Sequence, residues 1–256
     1  MVRIFEASKK DASLEVARLI AEEVKIGNLL LGTSTGRSPE KIYADMQGFQ
    51  WTGKEKIEVF QQDVYVGQNL KGKIGLDYVT EIKNSLINPC FPHINFFFPD
   101  GAADDPETAA KIHSEHFWKV REGKKYIHLL GIGVNGHIGF NEPGTSFDSA
   151  THVVNLTEST IQRNADLYFD GDTSKVPKQA ITTGLGELSS MDNAIMVAFG
   201  DAKANALYNA FVKEPSTQCP ASVLMAKNVN TILFADAEAL AKIKASSKYE
   251  IETLKD

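Results

Sequence analysis

The chain has 256 residues and a mass of 28.1 kDa, enough for one large core or two modest ones. Hydrophobic residues make up 43% and the net charge is −6, which suits a globular protein and argues against a nucleic-acid partner, since a polyanion needs a basic face; a local basic pocket for a small phosphate is still allowed. No apolar window reaches about 18 residues, so no membrane partner is expected. The opening MVRIFEASKKDASLEVARLI lacks a signal-type apolar core, and Cys90 and Cys219 stand outside any CxxC pair, so reduced thiols and a cytoplasmic location are expected.

Along the chain, apolar residues at Leu14, Ala17, Ile20 and Ala21 predict a helix over 12–24. A strand over 28–32 (NLLLG) follows, and Ser38-Pro39-Glu40 then marks a helix start, with a capping hydroxyl, a proline at the first position and an acid in the first turn. Strands are predicted at 57–60 (IEVF) and 95–98 (NFFF), with a loop over 88–92 between them. Asp105-Pro106-Glu107 starts a helix reaching about Val120, and 126–130 (YIHLL) is the next strand. After a loop over 170–177 come a strand at 194–199 and a helix over 202–211 capped by Asp201. A strand at 231–234 and a last helix capped by Asp236, ending near Lys248, complete the set. Nearly continuous apolar strands separated by crossover-length helical spacers predict a single α/β domain over 1–256. Its sheet should be open, mostly parallel and twisted, with helices on both faces, a Rossmann-like layout.

In such sheets ligands bind beyond the carboxyl ends of the strands, and three strand ends carry suitable residues. In LLLGTSTGRSPEKIY, residues Thr33 to Ser38 form a hydroxyl- and glycine-bearing turn before a helix, either an anion cradle or simply a cap; it is neither a P-loop nor GxGxxG. In VFQQDVYVG, Asp63 follows the strand 57–60, as a general base or as a solvated loop acid. In LLGIGVNGHIGFNEPG, Asn135, His137 and Glu142 lie within eight residues among glycines. There an imidazole can shuttle protons while a carboxylate orients it; the alternative is a histidine satisfying loop carbonyls. His113 and His116 have a spacing a metal could use, but the helix also carries Lys111 and Glu115, so the pair is expected to face solvent and no metal is assigned.

GIGVNGHIGFNEPGTSF resembles the signature of the glucosamine-6-phosphate deaminase family, and the resemblance extends through LGTSTGRSPEKIY, THVVNLTESTIQRNA and QAITTGLGELSS, nearly the whole chain. It is similar to the shorter members, which lack the C-terminal extension of the allosteric hexamers. The resemblance implies an aldose–ketose isomerisation with loss of ammonia, giving fructose 6-phosphate without cofactor or metal. It makes Asp63 the base between C2 and C1 and gives ring opening to His137, which Glu142 and Asn135 orient. Ser34, Thr35, Gly36, Arg37 and Lys203 would bind the phosphorylated amino sugar, in a monomer or small homo-oligomer.

Three positions depart from the family pattern. Where relatives usually read DEY this chain has Asp63-Val64-Tyr65, which is expected to alter polarity around Asp63. Where they read NAR, supplying an arginine to the phosphate, it has Asn164-Ala165-Asp166, and a carboxylate repels phosphate. Arg37 stands where relatives have a small residue and could replace the missing arginine, steadied by Asp166. The alternatives are a galactosamine-6-phosphate deaminase, a 6-phosphogluconolactonase, which shares the weaker TGxxP pattern, and a non-catalytic sugar-phosphate-binding protein.

Overall fold

The computed structural model describes residues 1–67, 70–73 and 75–254. The strands are β1 (Val2–Glu6), β2 (Leu29–Thr33), β3 (Ile57–Gln61), β4 (Asp63–Tyr65), β5 (Asn95–Phe97), β6 (Lys125–Leu130), β7 (His152–Asn155), β8 (Gln179–Thr182), β9 (Asn193–Ala198), β10 (Asn230–Ala235) and β11 (Ile251–Thr253). The helices are α1 (Lys9–Ile26), α2 (Arg37–Met46), α3 (Tyr78–Ile82), α4 (Asn88–Cys90), α5 (Pro106–Arg121), α6 (Glu158–Tyr168), α7 (Leu185–Leu188), α8 (Ala204–Phe211), α9 (Val223–Ala226) and α10 (Ala237–Ser246). A π-helical turn, Lys83–Ile87, joins α3 to α4.

Eight strands form one sheet in the order β11-β1-β10-β9-β6-β2-β3-β5, and every pairing in it is parallel. Parallel sheets are buried on both faces, and the side chains divide accordingly. Leu29 and Leu31 of β2 pack with Val16, Ile20 and Tyr43 of α1 and α2, whereas Leu30 faces the opposite layer with Phe117, Leu207 and Leu240 of α5, α8 and α10. From β2 the chain moves outward through β3 to β5; it returns at β6 and then moves the other way through β9 and β10. The strand order therefore reverses between β2 and β6, and the crevice of the fold opens where those two strands end.

A second sheet, β4-β8-β7, is antiparallel and was not anticipated. Its one face packs on α5 through Val64, Ala109, Ala110 and Ile181; its other face carries Tyr65 and Ala180 against Leu76 and Phe140. Its strands have three or four residues each, too short for alternation to register.

Several local expectations need correction. Helix α2 begins at Arg37 with Gly36 as cap, so Ser38 is not the cap; Pro39 stays in the first turn, where an N–H is not required. Asp201 opens a 3-10 turn, Asp201–Lys203, and its carboxylate accepts from Ala202 N–H at 2.8 Å, while the helix proper starts at Ala204. In α1 the buried stripe is Ala12, Val16, Ala17, Ile20, Ala21 and Val24; Leu14 is exposed, because two residues turn the helix about 200° from Ala12. Short helical turns also occupy both expected loops, at 88–90 and 173–175. The caps Asp105 and Asp236 do hold their helices, accepting from Glu107 and Thr108 N–H and from Ala239 N–H respectively.

Candidate active site

The loop after β6 runs from Gly131 to Thr151, just before β7, and starts at the end of β6 where the crevice opens. It folds back on itself, with Gly133 N–H donating to the His137 carbonyl at 2.9 Å. A methyl group on Gly133 would sit 2.3 Å from the His137 ring, so only glycine lets the backbone and imidazole approach this closely. Asn141, fully buried, ties the loop to its surroundings by donating to the carbonyls of Ile138 and Thr183 at 3.0 and 2.9 Å.

Within the loop the three predicted residues do meet. Asn135 donates through Nδ2 to Glu142 Oε2 at 2.7 Å, and its Oδ1 accepts the His137 backbone N–H at 3.2 Å. Glu142 Oε1 lies 3.4 Å from His137 Nδ1. That nitrogen is enclosed and has no aligned hydrogen bond, so the approach is one of charge and orientation. Burial pushes the imidazole below its ordinary 6.5; Glu142 opposes this, and Lys203 and Arg163 add to it. His137 is thus held neutral at neutral pH, with one nitrogen free to accept a proton.

Asp63 opens β4 and is 6% exposed. Its partner in the sheet is Thr182, whose hydroxyl accepts the Phe140 N–H at 3.2 Å, so β8 carries Asp63 to the same loop that holds His137. The contact point is Gly139, with φ +58°: a methyl group there would stand 3.0 Å from Asp63 Oδ2 and 2.0 Å from Gln62 Nε2. Burial raises the Asp63 carboxyl to about 7, with a hydrogen bond to Gln61 opposing the rise.

Val64 points away from this site into the apolar contact with α5, because side chains alternate along the strand. The expectation that it changes the polarity around Asp63 is therefore corrected. What surrounds Asp63 on its own face is Tyr65, which the sequence did not single out. Tyr65 packs on Phe140 at 5.4 Å and receives hydrogen bonds at its oxygen from Asn164 Nδ2 at 2.8 Å and Tyr78 at 3.3 Å. Gln62 also went unnoticed; its side-chain amide is buried beside Gly139 without a partner among the described residues.

The loop after β2 closes the other side of the crevice. Ser34 is committed internally: its hydroxyl donates to the Leu129 carbonyl at 3.0 Å, and its own carbonyl accepts from the Tyr43 hydroxyl at 2.9 Å. The Thr35 hydroxyl interacts with Tyr78. Gly36 is exposed at the head of α2. The Arg37 side chain lies outside the described residues, and the carboxylate expected to steady it, Asp166, accepts from Gln162 Nε2 at 2.8 Å. Lys203 reaches the site from the end of β9 and donates to the Ile132 carbonyl at 2.6 Å; burial and then Arg163 lower its affinity for a proton.

His113 is not solvent-facing. It is 4% exposed, packs beside Phe60 and Phe97, and is pushed by burial to about 3; His116 lies edge-on to Phe97. Among the described residues no group of three or more His, Cys, Asp or Glu is placed to hold a metal ion.

A buried carboxyl raised to about 7, an imidazole with a carboxylate 3.4 Å away, and Lys203 at the switch point of a parallel sheet are groups suited to acid–base chemistry, in a fold of the open α/β class. Comparison with known proteins gives the family. The chain is 36% identical over 239 residues to the glucosamine-6-phosphate deaminase of Staphylococcus aureus (strain bovine RF122 / ET3-1), covering 92% of this chain and 93% of that one. It is 38% identical over 226 residues to that of Streptococcus sanguinis (strain SK36), covering 88% and 92%. A solved monomeric glucosamine-6-phosphate deaminase superposes with a TM-score of 0.80 at 32% identity, over 94% of this chain and 99% of that one. The 6-phosphogluconolactonase of Trypanosoma brucei shares the fold, with a TM-score of 0.74 at 16% identity over 95% and 98% of the two chains. No family model matches the chain. The chain belongs to the glucosamine-6-phosphate deaminase family.

Proposed function

We propose that this protein converts glucosamine 6-phosphate and water to fructose 6-phosphate and ammonia. The observation that carries the reading is the Asp63 carboxylate, buried and raised to about 7, set against Gly139 in the loop that also presents His137 and Glu142. Neutral His137 takes the proton of the anomeric hydroxyl and passes it to the ring oxygen, opening the sugar. Glu142 lies beside Nδ1 and stabilises the transient imidazolium. Asp63 then removes the proton from C2, made acidic by the neighbouring carbonyl, and returns it to C1. A near-neutral carboxyl is matched to both halves of that transfer, and its burial keeps competing water away. The C2 iminium adds water and expels ammonia, which balances the reaction without a redox step.

Lys203, whose ammonium has no carboxylate partner among the described residues, supports binding of the phosphate. Free, buried Cys90 and Cys219 support the cytoplasm as the place of work, and the monomeric relative of similar fold supports a single-chain enzyme.

The test is ammonia and ketose release from glucosamine 6-phosphate, with galactosamine 6-phosphate and 6-phosphogluconolactone as comparators. Asp63→Ala is expected to keep its fold and lose at least about 100-fold in kcat. Near-normal turnover by that variant would remove Asp63 from the mechanism; preference for the lactone would replace the reaction.

A further inference from the structure

Between β3 and β4 the chain crosses from the large sheet to the small one through a single residue, Gln62. Both of its backbone groups are committed. Its N–H donates to the Thr33 carbonyl at 3.0 Å, and its carbonyl accepts from the Thr183 N–H and hydroxyl at 2.9 and 2.8 Å. The residue is thus pinned between the ends of β2 and β8, and it is 1% exposed. Its side chain is not committed: neither Nε2 nor Oε1 has a partner among the described residues. The neighbouring Gln61 differs, since its Oε1 accepts from the Thr33 hydroxyl at 3.0 Å and its Nε2 donates to the Asp63 carbonyl at 3.2 Å. A buried amide without a partner is costly, because it has given up water and gained nothing in return.

The unpaired amide lies beside the base. A methyl group on Gly139 would stand 2.0 Å from Gln62 Nε2, 2.9 Å from Thr182 Oγ1 and 3.0 Å from Asp63 Oδ2, so these three polar atoms surround one point on Gly139. The terminal torsion of a glutamine is broad, and a small turn is enough to bring Nε2 onto the carboxylate. Thr182 Oγ1 is already used, accepting the Phe140 N–H at 3.2 Å. Among the described residues no lysine or arginine pairs with Asp63. The titratable groups packed around it are the hydroxyls of Tyr43 on α2, Tyr65 on β4 and Tyr78 on α3, all raised by burial above the ordinary 10.0, and His137 in the loop of Gly139, itself held neutral. None of them brings a positive charge at neutral pH, so an ionised Asp63 depends on hydrogen-bond donors.

We propose that Gln62 is a positioning residue for the base: its side-chain amide engages the Asp63 carboxylate once the acid has given up its proton, and lets go when the proton returns. The role rests on the deaminase reading above, in which Asp63 alternates between those two states. The amide carries no charge and transfers no proton. It holds one carboxylate oxygen, favours the ionised form against the effect of burial, and leaves the other oxygen to the substrate.

Two measurements on the full chain test this. In wild type, carbon NMR follows the Asp63 carboxyl, identified by its loss in Asp63→Asn, and nitrogen NMR follows the Gln62 side-chain amide; the amide is expected to shift with the same midpoint as the carboxyl. Gln62→Met keeps the volume and lacks the donor, and is expected to raise the Asp63 midpoint by about one pH unit. In kcat/KM for glucosamine 6-phosphate, Q62M is then expected to lose about five- to tenfold at pH 6 and distinctly less at pH 9, where the base is ionised in both proteins. A wild-type amide that ignores the Asp63 titration overturns the role, as does a folded Q62M whose Asp63 midpoint matches wild type or whose loss is equal at the two pH values. Should Q62M not fold, the wild-type amide titration decides alone. If wild type releases no ammonia from glucosamine 6-phosphate, the deaminase reading fails, while the NMR midpoints still decide whether Gln62 serves Asp63.

Discussion

Burying the Asp63 side chain raises its carboxyl to about 7 from an ordinary value of 3.8, and that same burial affects stability. In the unfolded chain the group loses its proton near 3.8; in the folded protein it keeps it to about 7, so across that window the folded state binds the extra proton. Stability contributed by this group is present in full below the lower value, falls as pH rises through the window, and is flat above it. The loss is at most about 4 kcal/mol for a shift of this size. Asp63→Asn, which carries the shape of the protonated acid, is therefore expected to melt above wild type at pH 8, with the gap closing by pH 4. Thermal unfolding at both pH values checks this, and a gap independent of pH would mean that the carboxylate is not held under strain. Sequence pattern placed Asp63 at a strand end and His137 with Glu142 in one loop. Gln62 and Tyr65 escaped it, since each owes its place to partners far along the chain, Gly139 and Asn164 respectively.

Elements with strong local signals formed as expected. Asp105 and Asp236 cap their helices, each worth about 1 kcal/mol, and the six predicted strands appear within about two residues of their expected ends. The β4-β8-β7 sheet was illegible because its short strands are held by cross-strand pairing and by packing on α5, neither of which leaves a periodic trace. Yet this sheet brings Asp63 to the histidine loop, with Gly139 as the contact. Gly139→Ala adds a methyl group that meets Gln62, Thr182 and Asp63, in a left-handed backbone that alanine adopts at a cost of about 1 kcal/mol. The variant is expected to lose about 100-fold or more in kcat/KM while losing only about 1–3 kcal/mol of stability. Denaturant titration alongside kinetics separates the two effects, and a fully active variant would show that the loop is free to shift without moving the acid and base apart.

At the scale of the molecule, the reversal of strand order between β2 and β6 sets the crevice, and the ends of β2, β3, β6 and β9 deliver Ser34, Asp63, His137 and Lys203 to it from one chain. On the single-chain reading proposed above, saturation with glucosamine 6-phosphate is expected to be hyperbolic, with a Hill coefficient of about 1, and sedimentation should report a single 28.1 kDa species. Sigmoidal kinetics or a larger particle would require an interface that the monomeric reading omits. Composition, apolar runs and capping residues by themselves determined the α/β class, the parallel sheet and the loops able to carry chemistry, because hydrophobic period and turn chemistry are properties of neighbouring residues. Only the tertiary structure decided that Asp63 is buried to the point of holding its proton near neutrality, and that Val64 faces away from it. Burial and facing arise from contacts between residues distant in sequence, on which local pattern is silent.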